Sequence, residues 1–195
     1  MPALKACYTI LMEQSVIGIG GSHSGAGKTT VACQLIRALK AEGMSVGALK
    51  CEPDSLYTSV TDEPSHINEP GKDTALMRQA GADEVLRVQA PRGDMHEALG
   101  MAIDRLSAHG CVIVEGNSAI EVLRPRIVLF ITGLQGTATP KKESARRVLA
   151  LSHVLIHDGH VPPEAPGDVK KYSREEAGAY IAHVLSLIKG ARYAR

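Results

Sequence analysis

The chain has 195 residues, a formal net charge of +1, 44% hydrophobic and 22% charged residues, values that suit one full-cored globular domain and supply no basic field for nucleic acid. Five Tyr, one Phe and no Trp deny it the aromatic platforms that stack single strands, so packing must rest on Ala, Val, Ile and Leu, as in sheets sandwiched by helices. Four scattered cysteines (Cys7, Cys33, Cys51, Cys111) with no Cys-x-x-Cys pair argue against a disulfide framework or structural zinc, and no apolar run reaches membrane-spanning length.

In chain order, Glu13 and Gln14 interrupt the first apolar stretch, so no signal-peptide pattern is read and the cytoplasm is expected. Residues 16 to 30 follow as VIGIGGSHSGAGKTT. Val16, Ile17 and Ile19 make a strand that feeds a glycine-rich turn. Ser24, Gly25, Ala26 and Gly27 would curl so that successive N–H groups face phosphate oxygens. Lys28 would reach the β- and γ-phosphates, and the Thr29 hydroxyl would ligate Mg²⁺. The helix that follows, with Val31, Leu35, Ile36 and Leu39 at helical spacing, points its positive end at the same anion and stops at Gly43. The usual pattern G-x-x-x-x-G-K-[ST] has Gly first; here Ser22 stands in that place.

Residues 45 to 50 read as a second strand. Residues 52 to 72, with three Pro, read as a long loop on the ligand side. Residues 73 to 80 make a short helix closed by Gly81, and 85 to 88 a strand. Asp94 and Glu97 have capping-box spacing and open a helix carrying Ala98, Leu99, Ala102, Ile103 and Leu106. Residues 112 to 114 and 127 to 131 are continuous apolar strands. Pro140 suits the first turn of a helix with Ala145, Val148 and Leu149. Residues 154 to 156 form one more strand, and 159 to 170, again with three Pro, a surface loop. Ser173 and Glu176 make a second capping box before the last helix, lined by Ala177, Ile181, Val184, Leu185 and Ile188. The alternation predicts an α/β fold: a mainly parallel sheet flanked by helices, in one domain over residues 1 to 195.

Triphosphate chemistry needs an acid near the metal, usually at the end of a buried strand. CVIVEGNS, residues 111 to 118, supplies Glu115 and then Gly116. Strand carboxyl ends line the crevice of an open parallel sheet, so Glu115 is expected beside Thr29, with the Gly116 N–H offered to the γ-phosphate; the bland alternative is an exposed strand-end carboxylate. Lys50, Glu52, Asp54, Lys72 and Asp73 are further polar candidates. Asp73 either joins Mg²⁺ through water or caps its helix. Asp54 is explained by a Pro-Asp-Ser turn. Asp158, at the end of HVLIHDG, either accepts the N1 and N2 hydrogens of guanine or forms a turn before Gly159. His153 and His157 would share a strand face about 13 Å apart at about 3.3 Å per residue, too far for one metal. No catalytic Arg or Gln is assignable; Arg124 and Arg126 stand near a strand start, expected at the wrong sheet edge.

Three islands, GGSHSGAGKTT (20 to 30), GKDTALMRQAGADEV (71 to 85) and VIVEGNS (112 to 118), resemble the molybdopterin-guanine dinucleotide biosynthesis protein B family. The resemblance spans roughly residues 16 to 160 and implies the three-layer sandwich of P-loop NTPases, GTP and Mg²⁺ binding, slow hydrolysis, a homodimer, and an accessory role with a cofactor-assembly partner. Carried over by position, Gly25, Gly27, Lys28, Thr29 and Thr30 would hold phosphate and metal, Glu115 would be the strand-end acid, and Asp73 a polar group near the γ-phosphate. The loop is also similar to those of dethiobiotin synthetases and cobyrinic acid a,c-diamide synthases, which are ATP-dependent. His23 stands where the dimeric deviant P-loop ATPases carry a signature Lys, and CEPDSLYTSV replaces a His-rich stretch associated with the molybdenum family. Two other functions therefore stay open: an ATP-dependent synthetase acting on a small carboxylate, and a nucleotide-binding subunit without turnover.

Overall fold

The alternation of apolar runs and amphipathic segments yields eight strands and seven helices among the described residues. The structure is a computed structural model that describes residues 14–133 and 140–193, with side chains through residue 190; Cys7 and the N-terminal apolar stretch up to Glu13 lie outside these residues. In chain order the elements are β1 (Ser15–Gly21), α1 (Lys28–Ala41), β2 (Val46–Pro53), β3 (Ser59–Thr61), α2 (Pro64–Ile67), α3 (Asp73–Gln79), β4 (Glu84–Ala90) and α4 (Met95–Arg105). There follow β5 (Cys111–Glu115), α5 (Asn117–Leu123), β6 (Ile127–Ile131), α6 (Glu143–Ala150), β7 (Val154–His157), β8 (Lys170–Ser173) and α7 (Ala177–Tyr193).

One sheet runs β3-β4-β2-β5-β1-β6-β7-β8. All its pairings are parallel except the edge pair β3–β4. Helices cover both faces. On one, α1, α3 and α7 bury Leu35, Ile36, Met77 and Val184 against Ile17, Ile113 and Leu129. On the other, α4 and α5 pack on Leu49, Val112 and Val114, and α6 on Val128, Phe130 and Leu155. Coverage on both sides explains why β5 and β6 are continuous apolar runs: every residue in each is buried. Each fully buried Leu or Ile contributes about 1.5–3 kcal/mol, so a small-residue core without Trp suffices. Among the described residues no helix is long and apolar enough to cross a membrane.

Several expectations need correcting. Residues 52 to 72 are not one loop: β2 runs on to Pro53, and β3 and α2 follow. Three-residue β3 and four-residue α2 are too short to show a period. The loop expected over 159 to 170 ends in β8, an edge strand whose Lys170 and Lys171 are exposed, so it lacks the alternation that marks a half-buried strand. Helix α5 was not anticipated, because it begins directly after β5 with only Gly116 between. Pro140 lies before α6 rather than in its first turn; Lys142 is the N-cap, and the Pro140 carbonyl accepts a bond from Arg146 Nε at 3.1 Å. The Asp94–Glu97 capping box is not made: Asp94 makes no cap bond and instead accepts from the Thr58 hydroxyl at 2.9 Å.

The site is prepared by sheet order. β1 has β5 on one side and β6 on the other, and the chain leaves its carboxyl end into the glycine-rich loop. Parallel neighbours bring the carboxyl ends of β2, β5 and β6 to the same edge, where an open α/β sheet has its ligand crevice.

Candidate functional site

The loop is tied down at several points. Ser22 N–H donates to the Ile131 carbonyl at 3.0 Å, and the Ser22 hydroxyl accepts from Gly133 N–H at 2.9 Å. The serine that replaces the customary glycine thus fastens the loop to the end of β6, a bond glycine would not make. Gly25 (φ 78°) and Gly27 (φ 92°) hold left-handed backbone that other residues resist. Gly27 is also the N-cap of α1, with no side-chain cap, so the first N–H groups of the helix remain for another acceptor. Lys28 Nζ folds back onto the His23 carbonyl at 3.0 Å. Burial, opposed in part by the Glu115 charge, lowers the Lys28 pKa from its ordinary value.

At the start of α1 the Thr29 hydroxyl stands between two carboxylates. It lies 2.8 Å from Asp73 Oδ1 and 2.9 Å from Glu115 Oε2. A hydroxyl has one proton, so it donates to one of the two at a time. Glu115 is 1% exposed and is not the solvated strand-end carboxylate of the bland reading. Asp73 is the first residue of α3, whose N-cap is Lys72. The far oxygens of both acids meet Lys50: its ammonium is 2.5 Å from Asp73 Oδ2 and pairs with Glu115 Oε1. Strand register causes this. Lys50 and Glu115 are direct partners across β2 and β5, and the alternation that sends Val46, Ala48, Cys111 and Ile113 to the α1 face sends both charges there too. Burial alone would raise the Asp73 pKa, but hydrogen bonds from Lys50 and Thr29 outweigh it and hold the carboxyl below its ordinary value. Burial would lower that of Lys50, and the Glu115 and Asp73 carboxylates reverse it.

A hydroxyl and two carboxylates are hard oxygen donors, the set that suits Mg²⁺. A cation, the Lys50 ammonium, already rests on the two acids. The donor set therefore fits the metal that triphosphate chemistry uses.

The other candidates fall differently. The Gly116 N–H does not face the loop; it donates to the Ile19 carbonyl at 3.2 Å. That corrects the expectation that it is free for a γ-phosphate. Ala26 N–H likewise turns back to the His23 carbonyl at 3.4 Å. Ser24 is at the loop's tip, and its carbonyl lies 2.5 Å from His23 Nδ1. Thr30 is in the first turn of α1. Asp158 follows the end of β7; its side chain is 14% exposed, 4.0 Å from His160 Nδ1, and its Oδ1 is buried with no hydrogen-bond partner. Asp54 forms a left-handed turn (φ 67°) and pairs with Arg92. Glu52 pairs with Arg87, and Lys72 with Glu69. His153 Nδ1 accepts from Val128 N–H at 3.1 Å, and no group of three metal-ligating side chains of the His, Cys, Asp and Glu types occurs among the described residues. Arg124 and Arg126 precede β6, a central strand beside β1. They are therefore at the wrong end of the sheet, not at its edge.

Three contributors escaped the sequence reading or its site assignment. Lys50, read at the end of the second strand, was given no role; it reaches the acids through the pairing of β2 with β5. Asn117 clasps Gly21, accepting from its N–H and donating to its carbonyl, each at 3.0 Å. Arg174, just past β8, reaches back to the loop: Nη2 donates to the Ala26 carbonyl at 2.6 Å and to the Thr132 carbonyl. Its guanidinium covers Gly27, where a Cβ would come within 2.5 Å of Nη1. The contact joins residues 148 apart in sequence, and no local pattern announces it. A polar cleft of about 100 Å³ opens beside the acids, with Lys50, Lys72, Asp73 and Arg87 in its walls.

The family profile described as Molybdopterin guanine dinucleotide synthesis protein B matches residues 16–153. A Pyrococcus horikoshii protein named "Putative GTPase" is 28% identical over 117 residues, covering 57% of this chain and 34% of its own length; the chain thus spans about a third of the curated relative it matches. The hydrogenase maturation factor HypB of Archaeoglobus fulgidus superposes with a TM-score of 0.62 at 9% identity, over 96% of this chain and 98% of its own. A MobB protein homologue from Bacillus stearothermophilus gives 0.54 at 16% identity, over 91% and 99%. At such identities these structures attest the fold alone, an α/β three-layer sandwich.

Proposed function

The chain belongs to the molybdopterin guanine dinucleotide synthesis protein B family, and from that premise we propose that it binds GTP with Mg²⁺ at residues 20–30, hydrolyses it slowly, and serves as an accessory in attaching the nucleotide to the molybdenum cofactor. Nucleotide binding in that synthesis comes with the family. The base, the metal, the turnover and the accessory role are this proposal's own. The observation that carries it is the Thr29 hydroxyl set within 2.9 Å of both Asp73 and Glu115 at the end of the glycine-rich loop.

In this reading Gly25, Gly27 and the first turn of α1 present N–H groups to the phosphates. Lys28 exchanges the His23 carbonyl for phosphate oxygens, a stronger charge-assisted bond. Thr29, Asp73 and Glu115 would hold Mg²⁺, which supplies charge neutralisation at the β- and γ-phosphates. Asp158 supports guanine over adenine: its buried, unpartnered Oδ1 is an acceptor, and guanine offers N1 and N2 hydrogens whereas adenine N1 is itself an acceptor. Slow turnover is expected because no glutamine or arginine is assigned to the attacking water or to the developing charge of the transferring phosphoryl group; Arg174 reaches the loop, but its Nη2 bonds the Ala26 and Thr132 carbonyls.

Calorimetric titration with GTP and ATP side by side, each with Mg²⁺, tests the reading. A GTP preference is expected. An ATP preference would overturn the guanine reading and favour the synthetase.

A further inference from the structure

Lys50 has no part in the scheme above, yet it is the most committed cation at the site. Its side chain is 15% exposed and touches both acids at once. The oxygens are divided between two neighbours: Asp73 Oδ1 and Glu115 Oε2 face Thr29, while Asp73 Oδ2 and Glu115 Oε1 face Lys50. Two carboxylates this close repel each other, and a positive charge between them offsets that repulsion. A lysine paired directly across two neighbouring strands is a rigid way to supply that charge.

We infer that Lys50 is the resident counter-ion of the acid pair, occupying it in the nucleotide-free protein so that a divalent cation is taken up only together with a triphosphate. The charge arithmetic favours this. With Lys50 the cluster carries one net negative charge; without it, two. A divalent ion arriving alone meets a half-neutralised site and a neighbouring ammonium. Arriving with a triphosphate, it brings its own additional oxygen ligands and negative charge, which offset the repulsion from Lys50. The inference rests on the reading of Thr29, Asp73 and Glu115 as the metal-side groups, but its test uses no nucleotide and so fails or stands apart from the GTP reading.

The experiment is Mn²⁺ titration of nucleotide-free protein followed by electron paramagnetic resonance of the free ion. Lys50→Met is expected to bind Mn²⁺ at least about tenfold more tightly than the wild type, since a unit charge a few ångströms away is removed. Lys50→Arg, which keeps the charge, should stay as weak as the wild type. Adding Glu115→Gln to Lys50→Met should abolish the gain. If Lys50→Met does not fold, Lys50→Gln, which still donates to the carboxylates, carries the same expectation. Equal Mn²⁺ affinity in the wild type and the neutral variant, or weaker binding in the variant, would overturn the inference; the weaker result would mean that Lys50 instead orients the acids for metal.

Discussion

Replacing Arg174 by Met keeps the unbranched stem and removes the guanidinium that joins the end of β8 to the phosphate loop. Two charge-assisted bonds disappear, to the Ala26 and Thr132 carbonyls. Bonds of this kind are each worth about 1.5–3 kcal/mol. The side chain is half-buried, so water re-solvates part of what is lost, and the lower end applies: about 2–3 kcal/mol in total. The Ala26 contact fixes loop geometry, so roughly half of that loss should appear as weaker nucleotide binding, about tenfold at 1.4 kcal/mol per decade. Urea unfolding should show a lower midpoint with unchanged slope, and calorimetry with GTP and Mg²⁺ should show the tenfold loss. Arg174→Lys should fall between, because a point ammonium does not span two carbonyls as a planar fork does. A variant that unfolds at the wild-type midpoint and binds within twofold of the wild type would refute the reasoning.

Three other expectations follow from the geometry. Glu115→Gln keeps the shape of a side chain that is 1% exposed but removes its charge, so Mg²⁺-dependent hydrolysis should fall more than nucleotide affinity; unchanged turnover would remove Glu115 from the site. Gly20→Ala would put a Cβ 2.5 Å from Val148 Cγ1 and 2.8 Å from Asn117 Oδ1, and should cost about 1–3 kcal/mol by overpacking; an unchanged urea midpoint would contradict that. His153 has its pKa lowered from the ordinary 6.5, by burial against a smaller opposing pull from Asp168. Its neutral ring accepts the Val128 N–H, so its contribution is full above pH 6.5 and fades as pH falls toward the lower folded value. The melting temperature should therefore drop more between pH 7.5 and 5.5 in the wild type than in His153→Gln, and equal drops would disprove the shift.

How far the sequence could be read depended on whether the signal was local. The loop, α1, β5 and β6 were legible because their cues are contiguous: GAGKTT followed by helical spacing, and two unbroken apolar strands. The family was legible from three short islands, and the matching region, residues 16–153, begins where the first of their strands does. Glu115 and Asp73 were identified as candidates by position at element ends, although nothing in the sequence says that both approach one hydroxyl. Lys50 was in view but without a role, since its role depends on pairing with Glu115 across β2 and β5, and register between parallel strands is a property of the folded sheet. Arg174 was invisible: a contact that returns from residue 174 to residue 26 needs the whole chain order between. Ser22 was read as a defect in the motif, yet its hydroxyl takes the Gly133 N–H. Of the missed elements, β3, α2 and β8 are three or four residues long and owe their form to tertiary contact rather than to any period of their own, while the seven-residue α5 follows β5 with only Gly116 between.

The most direct measurement is calorimetric titration of GTP with Mg²⁺ into the wild type and into Lys28→Ala. The lysine that now rests on the His23 carbonyl is assigned to the β- and γ-phosphates, with charge-assisted bonds worth about 1.5–3 kcal/mol each. The account predicts tight binding to the wild type and a loss of at least about a hundredfold, near 2.8 kcal/mol, in the variant. Near-native affinity in a folded Lys28→Ala protein would contradict it.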